Sequence, residues 1–197
     1  WSSDVCSSDL SLGFTIAALN MMRDNKQAAY INTGTWATGA IKEAKAVGID
    51  VTISGSSEDK NFSYIPKNLE IPTSADYLHY TSNNTIFGTQ FKSLPATDLP
   101  LACDMSSDIF SKEINVADFD LIYAGAQKNL GPAGATLYIV KKDILGKSSS
   151  PFMPKYLDLK NHVEKDSMMN TPPVFSVYTS MLNLRNLISN GGVKAAE

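Results

Sequence analysis

Short apolar segments with the composition of buried strands alternate with segments of helical periodicity along most of this chain. The segment "AAYINT" (28–33) is typical of a strand, and "ATGAIKEAKAVG" (37–48) places Ala, Ile and Val at helical spacing before a terminating glycine. A helix that crosses between two strands leaves those strands parallel. The alternation therefore predicts an α/β fold built on a mainly parallel sheet, with helices on both faces.

The remaining predicted elements continue this alternation. Strands are predicted within "DVTISG" (50–55), "DYLHYTSNNT" (76–85), "PLACDMSSDIF" (100–110), "FDLIYAGAQ" (119–127) and "GATLYIVKKDIL" (134–145), and helices within "SLGFTIAALNMMRDN" (11–25) and "VFSVYTSMLNLRNLIS" (174–189). Four polar residues, Thr33, Thr85, Asp104 and Lys128, lie at or just past the carboxyl ends of predicted strands. Because ligands bind at that edge of a parallel sheet, these residues predict a pocket.

The residue types near this edge suit one cofactor. A lysine such as Lys128 can form a Schiff base when its amine is unprotonated, and a carboxylate such as Asp104 can hold a proton on a pyridine nitrogen. Trp36, in the predicted loop "GTW", can stack on a flat ring, and a helix capped by Ser11 can bind a phosphate. These features together indicate a pyridoxal phosphate site. The apolar strand before Lys128 also predicts that its aliphatic stem is buried.

Each of these residues can also have an ordinary structural role, and the spacing alone does not decide between the two interpretations. Lys128 can be a solvated surface charge, Asp104 a turn or cap residue, and Trp36 a packing residue. For two neighbouring residues we predict structural roles. Cys103 is expected to be a small buried core residue, and His79, which alternates with apolar residues, is expected to be a hydrogen-bonded histidine.

Five runs of sequence carry a resemblance to a known family. They are "YINTGTW" (30–36), "YLHYTSNNTIFGTQF" (77–91), "DMSSDI" (104–109), "IYAGAQKNLGPAG" (122–134) and "SMMNTPPVFSVY" (167–178). In order and spacing they resemble the phosphoserine aminotransferases, which are class V, fold-type I pyridoxal phosphate enzymes. The resemblance runs from about Ser11 to Val193 and implies the large, cofactor-binding domain of that fold.

The resemblance implies roles for five residues around the cofactor ring. Lys128 corresponds to the lysine that forms the Schiff base and then moves a proton between substrate and cofactor. Asp104 corresponds to the carboxylate that faces the pyridine nitrogen, and Trp36 to the residue stacked on the ring. Thr85 corresponds to a residue near the ring hydroxyl, and Gln127 to one that contacts the phosphate.

Three more residues are implied at the cofactor phosphate. Ser11 falls where the family has the second residue of a phosphate-binding pair that opens a helix, and Leu10 occupies the place of the first. Asn170 and Thr171 correspond to a pair that reaches the phosphate of the other subunit's cofactor. The resemblance thus implies a homodimer with shared active sites.

The implied reaction exchanges an amino group between L-phosphoserine and 2-oxoglutarate, giving 3-phosphohydroxypyruvate and L-glutamate in serine biosynthesis. A related action on a phosphorylated hydroxythreonine precursor, in pyridoxine biosynthesis, would use the same site. Two alternatives remain: another class V aminotransferase with a different acid substrate, or an α/β domain without catalytic activity.

The composition argues against nucleic-acid-binding, membrane-spanning and metal-binding functions. The net charge is −3, without the basic stripe that a nucleic-acid backbone requires, and no apolar run approaches the roughly 20 residues of a membrane span. The two cysteines and two histidines are scattered, so we expect no metal site. Unpaired cysteines of this kind favour a reducing, cytoplasmic setting.

Both ends of the sequence differ from the family pattern. Residues 1–10, "WSSDVCSSDL", resemble the translation of a sequencing-library adapter, and we expect this leader to be non-native. Residues 11–197 are expected to be the cofactor-binding large domain, truncated at both ends. By the resemblance, we expect the family's N-terminal segment and its C-terminal small domain, which supply basic substrate-binding residues, to lie outside these residues. We therefore expect the fragment alone to be inactive.

Overall fold

The computed structural model describes residues 2–6 and 10–197. The strands in these ranges are β1 (Ser2–Cys6), β2 (Gln27–Asn32), β3 (Asp50–Ser56), β4 (Tyr77–Thr81), β5 (Asn83–Asn84), β6 (Thr89–Gln90), β7 (Leu101–Asp104), β8 (Leu121–Gly125) and β9 (Thr136–Val140). The α-helices are α1 (Leu10–Met21), α2 (Thr35–Ala46), α3 (Leu159–Glu164), α4 (Val174–Ser189) and α5 (Val193–Ala196). Short 3₁₀ turns occur in the connections.

Seven of these strands form one sheet in the order β1-β9-β8-β7-β4-β2-β3. The five from β8 to β3 are parallel to one another, β9 is antiparallel to β8, and β1 is antiparallel to β9. The predicted α/β fold with a mainly parallel sheet is therefore confirmed. Strand β1 falls within the leader, of which residues 1 and 7–9 lie outside the described residues. The origin of the leader stays a prediction.

The two faces of the sheet carry different side chains because successive strand residues point to opposite sides. One face presents Tyr30, Tyr77 and Tyr123 to α1 and α2, in a cluster that also includes Leu159 of α3. The opposite face carries Leu78, Cys103 and Ile122 and is covered partly by the loop residues Ile65, Leu69 and Ile71. Helix α4 lies near β9 on this second side, where Leu184 packs with Leu130, Ala135 and Leu137.

Helix α1 is buried on nearly all sides, from Gly13 to Met21 with only Thr15 partly exposed. A helix that is apolar all round belongs inside a protein, and here α1 contacts the sheet at β8, the neighbouring helix α2 and the turn at residues 155–157. The first turns of α1 contact β8, where a Cβ atom on Gly13 would lie 3.4 Å from Cδ2 of Tyr123.

Several predicted boundaries were wrong by a few residues. Helix α1 begins at Leu10, so Ser11 lies in its first turn and is not its cap, and α2 begins at Thr35, so Trp36 is helical. Thr35 and Trp36 are weak helix formers, which is why the helix was predicted to begin after them. They occupy the first turn of α2, where the backbone amides have no hydrogen-bond partner within the helix. Strand β8 ends at Gly125 because the backbone turns there: Ala126 O accepts from Gly131 N at 2.7 Å. Helix α3 was not predicted.

No helix within the described part of the chain has both the length and the apolar character that a membrane crossing requires.

Candidate active site

Lys128 lies at the top of the turn that follows β8. Its Nζ atom donates a hydrogen bond to Thr85 Oγ1 at 2.8 Å and lies 5.5 Å from the centroid of the Trp36 ring. The prediction that its stem is buried was wrong: burial ends at Ala126, and the next three residues are exposed because the turn lifts them off the sheet. The amine nevertheless contacts two of the predicted site residues, Thr85 and Trp36.

Thr85 is placed by the short hairpin of β5 and β6. Asn84, a buried residue beside it, accepts from Thr33 Oγ1 at 3.2 Å and donates from Nδ2 to Thr89 Oγ1 at 3.1 Å. One amide therefore joins the hairpin to the loop after β2. Asn84 was not among the predicted site residues, although a polar residue followed by Thr85 after a buried strand is typical of an anchored turn.

Trp36 lies in the first turn of α2, where it packs against the core cluster under α1 and α2. Gly34 precedes the helix, and a Cβ atom there would lie only 3.0 Å from Phe87 Cδ2 and 3.2 Å from Asn84 Oδ1. The hairpin thus approaches this backbone closely enough to favour glycine. The Nε1 atom of Trp36 is buried and has no hydrogen-bond partner among the described residues.

Asp104 is the last residue of β7 and is buried. Its Oδ1 atom accepts from Ser106 N at 2.9 Å and from Ser106 Oγ at 2.6 Å. Burial raises the pKa of this carboxyl, while the Ser106 hydrogen bonds and the positive charge of Lys128 act in the opposite direction. A nearby second carboxylate, Asp108, adds to the increase.

Thr81 lies beside Asp104 on the neighbouring strand, since the register of β4 and β7 pairs the two residues. Paired residues of parallel strands point to the same face, so the Thr81 hydroxyl lies on the Asp104 side of the sheet. Its Oγ1 is buried without a hydrogen-bond partner within residues 2–6 and 10–197. Buried hydroxyls ordinarily have a partner, so this atom can accept or donate to a bound molecule.

A row of rings supports this side of the sheet. His79 Nε2 lies 2.8 Å from the Tyr123 hydroxyl, and the His79 ring stacks on Tyr30 with centroids 4.7 Å apart. Burial lowers the pKa of His79 to about 3, so the imidazole is neutral at physiological pH. The predicted hydrogen bonding of His79 is confirmed, as is the burial of Cys103, which lies on the opposite face.

Two predicted phosphate ligands lie at the rim. Ser11 is exposed in the first turn of α1 and lines, with Trp36, a cleft of about 500 Å³ between α1 and α2. Gln127 is exposed, and its side chain folds back over Gly125, where an added Cβ would lie 2.5 Å from Gln127 Oε1. Neither residue forms a hydrogen bond with Lys128 or Asp104 in the described structure. Their roles at a phosphate stay predictions.

Asn170 and Thr171 lie on the loop before α4. Their described hydrogen bond is local, from Asn170 Nδ2 to Thr171 O at 3.3 Å, and the Thr171 side chain is exposed. The chain does not bring this pair into contact with Lys128, Thr85 or Trp36. This arrangement is compatible with a role in another subunit's site, which stays a prediction.

The sequence is similar to known aminotransferases along nearly its whole length. A profile of the class-V aminotransferase family matches residues 10–197. The phosphoserine aminotransferase of Flavobacterium johnsoniae is 56% identical over 187 residues, which is 95% of this chain and 52% of that protein. The chain thus spans about half the length of the curated relatives that it matches.

Two solved structures are similar over nearly the whole chain. The phosphoserine aminotransferase from Bacillus circulans subsp. alkalophilus has a TM-score of 0.93 and 38% identity, covering 99% of this chain and 54% of that one. The PLP-bound phosphoserine aminotransferase from Trichomonas vaginalis has a TM-score of 0.92 and 30% identity, covering 99% and 55%. Both similarities agree with the family that the sequence motifs indicated.

Proposed function

The chain belongs to the class-V aminotransferase family, and we propose that it is the cofactor-binding part of a pyridoxal phosphate-dependent phosphoserine aminotransferase. The observation that carries the proposal is the position of Lys128. Its amine meets Thr85 Oγ1 and the Trp36 ring on the side of the sheet where Asp104 ends its strand.

The residues present suit pyridoxal phosphate. Lys128 supplies the amine, Asp104 an acid group for a ring nitrogen, and Trp36 a flat surface for the ring. Thr81 Oγ1 and Trp36 Nε1 are buried without hydrogen-bond partners among the described residues, and they offer polar contacts to a bound molecule. When bound, the cofactor supplies an electron sink for the negative charge left on the substrate carbon after proton loss.

Asp104 and Lys128 divide the proton chemistry between them. The Asp104 carboxylate would hold a proton on the ring nitrogen of a bound cofactor, and the positive charge there would oppose the burial that raises the carboxyl pKa. Lys128 lies on an exposed turn, where its amine would be free to take a proton from the substrate carbon and to give it up again as the amino group is exchanged. Because Thr85 and Trp36 both contact the amine, they limit where it can move.

The proposed substrates come from the relatives, which are named phosphoserine aminotransferases. The amino group of L-phosphoserine passes to 2-oxoglutarate, which gives 3-phosphohydroxypyruvate and L-glutamate. A phosphorylated hydroxythreonine precursor of pyridoxine is a second proposed substrate of the same site. We place the reaction in the cytoplasm, since Cys103 is a free, buried thiol.

We further propose a homodimer in which Asn170 and Thr171 contact the cofactor phosphate of the partner subunit, while Ser11 and Gln127 contact that of their own. Support comes from α4, which follows this loop and exposes Val174, Phe175 and Tyr178. Apolar side chains exposed together on one turn are typical of a surface that another chain covers.

The test uses the full-length protein that contains this chain. We expect it to bind pyridoxal phosphate with visible absorbance, and sodium borohydride to fix the cofactor on the peptide that carries Lys128, as measured by mass spectrometry. The matched variant Lys128→Arg keeps the positive charge but cannot form the bond. Glutamate should form from phosphoserine and 2-oxoglutarate and much more slowly from unphosphorylated serine. Fixation on another lysine, or equal rates with both amino acids, would contradict the proposal.

A further inference from the structure

Ser106 is connected to Asp104 by two hydrogen bonds. It is buried, two residues past the end of β7, and donates to Asp104 Oδ1 from its backbone N–H at 2.9 Å and from its Oγ at 2.6 Å. The backbone bond alone is an Asx turn, which occurs at many strand ends without functional meaning. The hydroxyl bond is additional, and hydrogen bonds to a charged acceptor are among the strongest that proteins form.

The same hydroxyl also accepts a hydrogen bond. Gly125 N, at the last residue of β8, donates to Ser106 Oγ at 3.0 Å. Because the hydroxyl proton goes to Asp104 and an oxygen lone pair receives the Gly125 amide, the rotamer of Ser106 is determined on both sides. The Asp104 carboxylate is thereby connected to the strand that leads directly into the Lys128 turn.

Both donors reach one oxygen of the carboxylate. Oδ2 of Asp104 has no donor among the residues that the structure describes, whereas Oδ1 has two. A carboxylate held in this way has one oxygen committed to the protein and one that remains for a ligand. Both donors also stabilise negative charge on the carboxylate, and so they oppose the increase in its pKa that burial causes.

We propose that Ser106 is a positioning residue that acts through Asp104, orienting the carboxylate so that Oδ2 is presented to the ring nitrogen of the cofactor and linking that orientation to the strand before Lys128. This inference rests on the proposed function, because it requires a ring nitrogen opposite Asp104. Its immediate effect, on the ionisation of Asp104, can be measured in the absence of cofactor.

Three substitutions separate the hydroxyl from the rest of the residue. Ser106→Ala deletes the hydroxyl and keeps the backbone Asx turn, Ser106→Cys keeps most of the volume with a weaker donor, and Ser106→Thr keeps the hydroxyl. Ser111→Ala is the matched control, since Ser111 lies in the same loop and donates to the Asp108 carbonyl at 2.7 Å without contacting Asp104.

The first measurement follows Asp104 in the cofactor-free, full-length protein. Carboxyl ¹³C NMR of aspartate-labelled protein, assigned with Asp104→Asn, gives the pKa of this carboxyl. We expect the pKa to rise in Ser106→Ala and Ser106→Cys and to stay near the parent value in Ser106→Thr and Ser111→Ala. If Ser106→Ala does not fold, Ser106→Cys tests the same prediction. An unchanged pKa in the folded variants would overturn the proposal.

The second measurement is made on the loaded enzyme. Loss of one hydrogen bond to a charged group corresponds to about tenfold in a rate or equilibrium, so we expect kcat of Ser106→Ala to fall about tenfold with little change in the KM for phosphoserine. A parent rate in Ser106→Ala would overturn the positioning role. Failure of the parent itself to bind pyridoxal phosphate would instead overturn the proposed function, and the NMR result would be unaffected.

Discussion

The Nζ atom of Lys128 lies 2.8 Å from Oγ1 of Thr85, although 43 residues separate the two in sequence. The contact joins the turn after β8 to the hairpin of β5 and β6. The hairpin is held by Asn84, so the lysine amine is placed by a separate two-stranded sheet that follows β4 in the chain.

The Thr85 hydroxyl is expected to contribute to cofactor binding. Thr85→Val keeps the shape of the side chain but removes the hydroxyl that orients the Lys128 amine and that the family resemblance places near the ring hydroxyl of the cofactor. We therefore expect the Kd for pyridoxal phosphate to rise about tenfold. Thr85→Ser retains the hydroxyl and is expected to bind within a few-fold of the parent. Titration of cofactor absorbance measures both values. Equal affinity in Thr85→Val and the parent would show that the hydroxyl has no role.

Gly131 is expected to be required where α4 crosses the Lys128 turn. A Cβ atom on Gly131 would lie 2.5 Å from Ser180 Oγ and 3.3 Å from the Ser180 Cα and N atoms. We expect Gly131→Ala to lower the free energy of unfolding by about 1–3 kcal/mol in urea titrations. Adding Ser180→Ala should recover part of the loss.

The control for this prediction is Gly39→Ala. Gly39 lies inside α2, and its added Cβ would contact Phe14 Cε2 at an ordinary 3.4 Å. Alanine is a better helix former than glycine by up to about 1 kcal/mol, so this variant should be at least as stable as the parent. If both alanine variants behave alike, the close approach of α4 is not what Gly131 permits.

Stability is expected to depend on pH through His79. Burial lowers its pKa to about 3 from 6.5, so between these values the unfolded chain binds a proton that the native protein does not. The unfolding free energy contributed by this residue therefore falls as the pH falls through that window, by about 2 kcal/mol between pH 7.5 and pH 5. Urea titrations of the parent and of His79→Gln at the two pH values measure it. The variant should lose less stability than the parent, and equal losses would contradict the burial argument.

A mixing experiment tests whether two chains share each site. One full-length protein carries Lys128→Ala and the other carries Asn170→Ala with Thr171→Ala. If the loop before α4 serves the partner's site, a mixed dimer has one site with both defects and one intact site. Activity should then rise above that of either parent as subunits exchange. If exchange is demonstrated and activity stays at the sum of the separate proteins, the cross-subunit role of Asn170 and Thr171 is wrong.

Local sequence was sufficient for most elements of the fold. The predicted helix 174–189 agrees with α4, and the strand predicted to end at Asp104 does end there. These predictions succeeded because apolar periodicity and chain-reversing residues act over a few neighbouring positions. The motifs around Lys128 and Asn170 likewise indicated the family, since a run such as "YAGAQKNLGPAG" can be identified from the order of its residues alone.

Only the tertiary structure determined which side chains meet. The alignment of Thr81 with Asp104 depends on the register of two strands, and the bond from Gly125 N to Ser106 Oγ depends on the end of a third. Ser106 could have been noticed two residues after Asp104 in an Asx pattern, but nothing local predicts its second partner. Lys128 was expected to be buried because a strand precedes it, yet the backbone bond from Gly131 to Ala126 turns the chain first. Contacts of this kind join residues far apart in the chain, so they exist only once the sheet has brought the strand ends together.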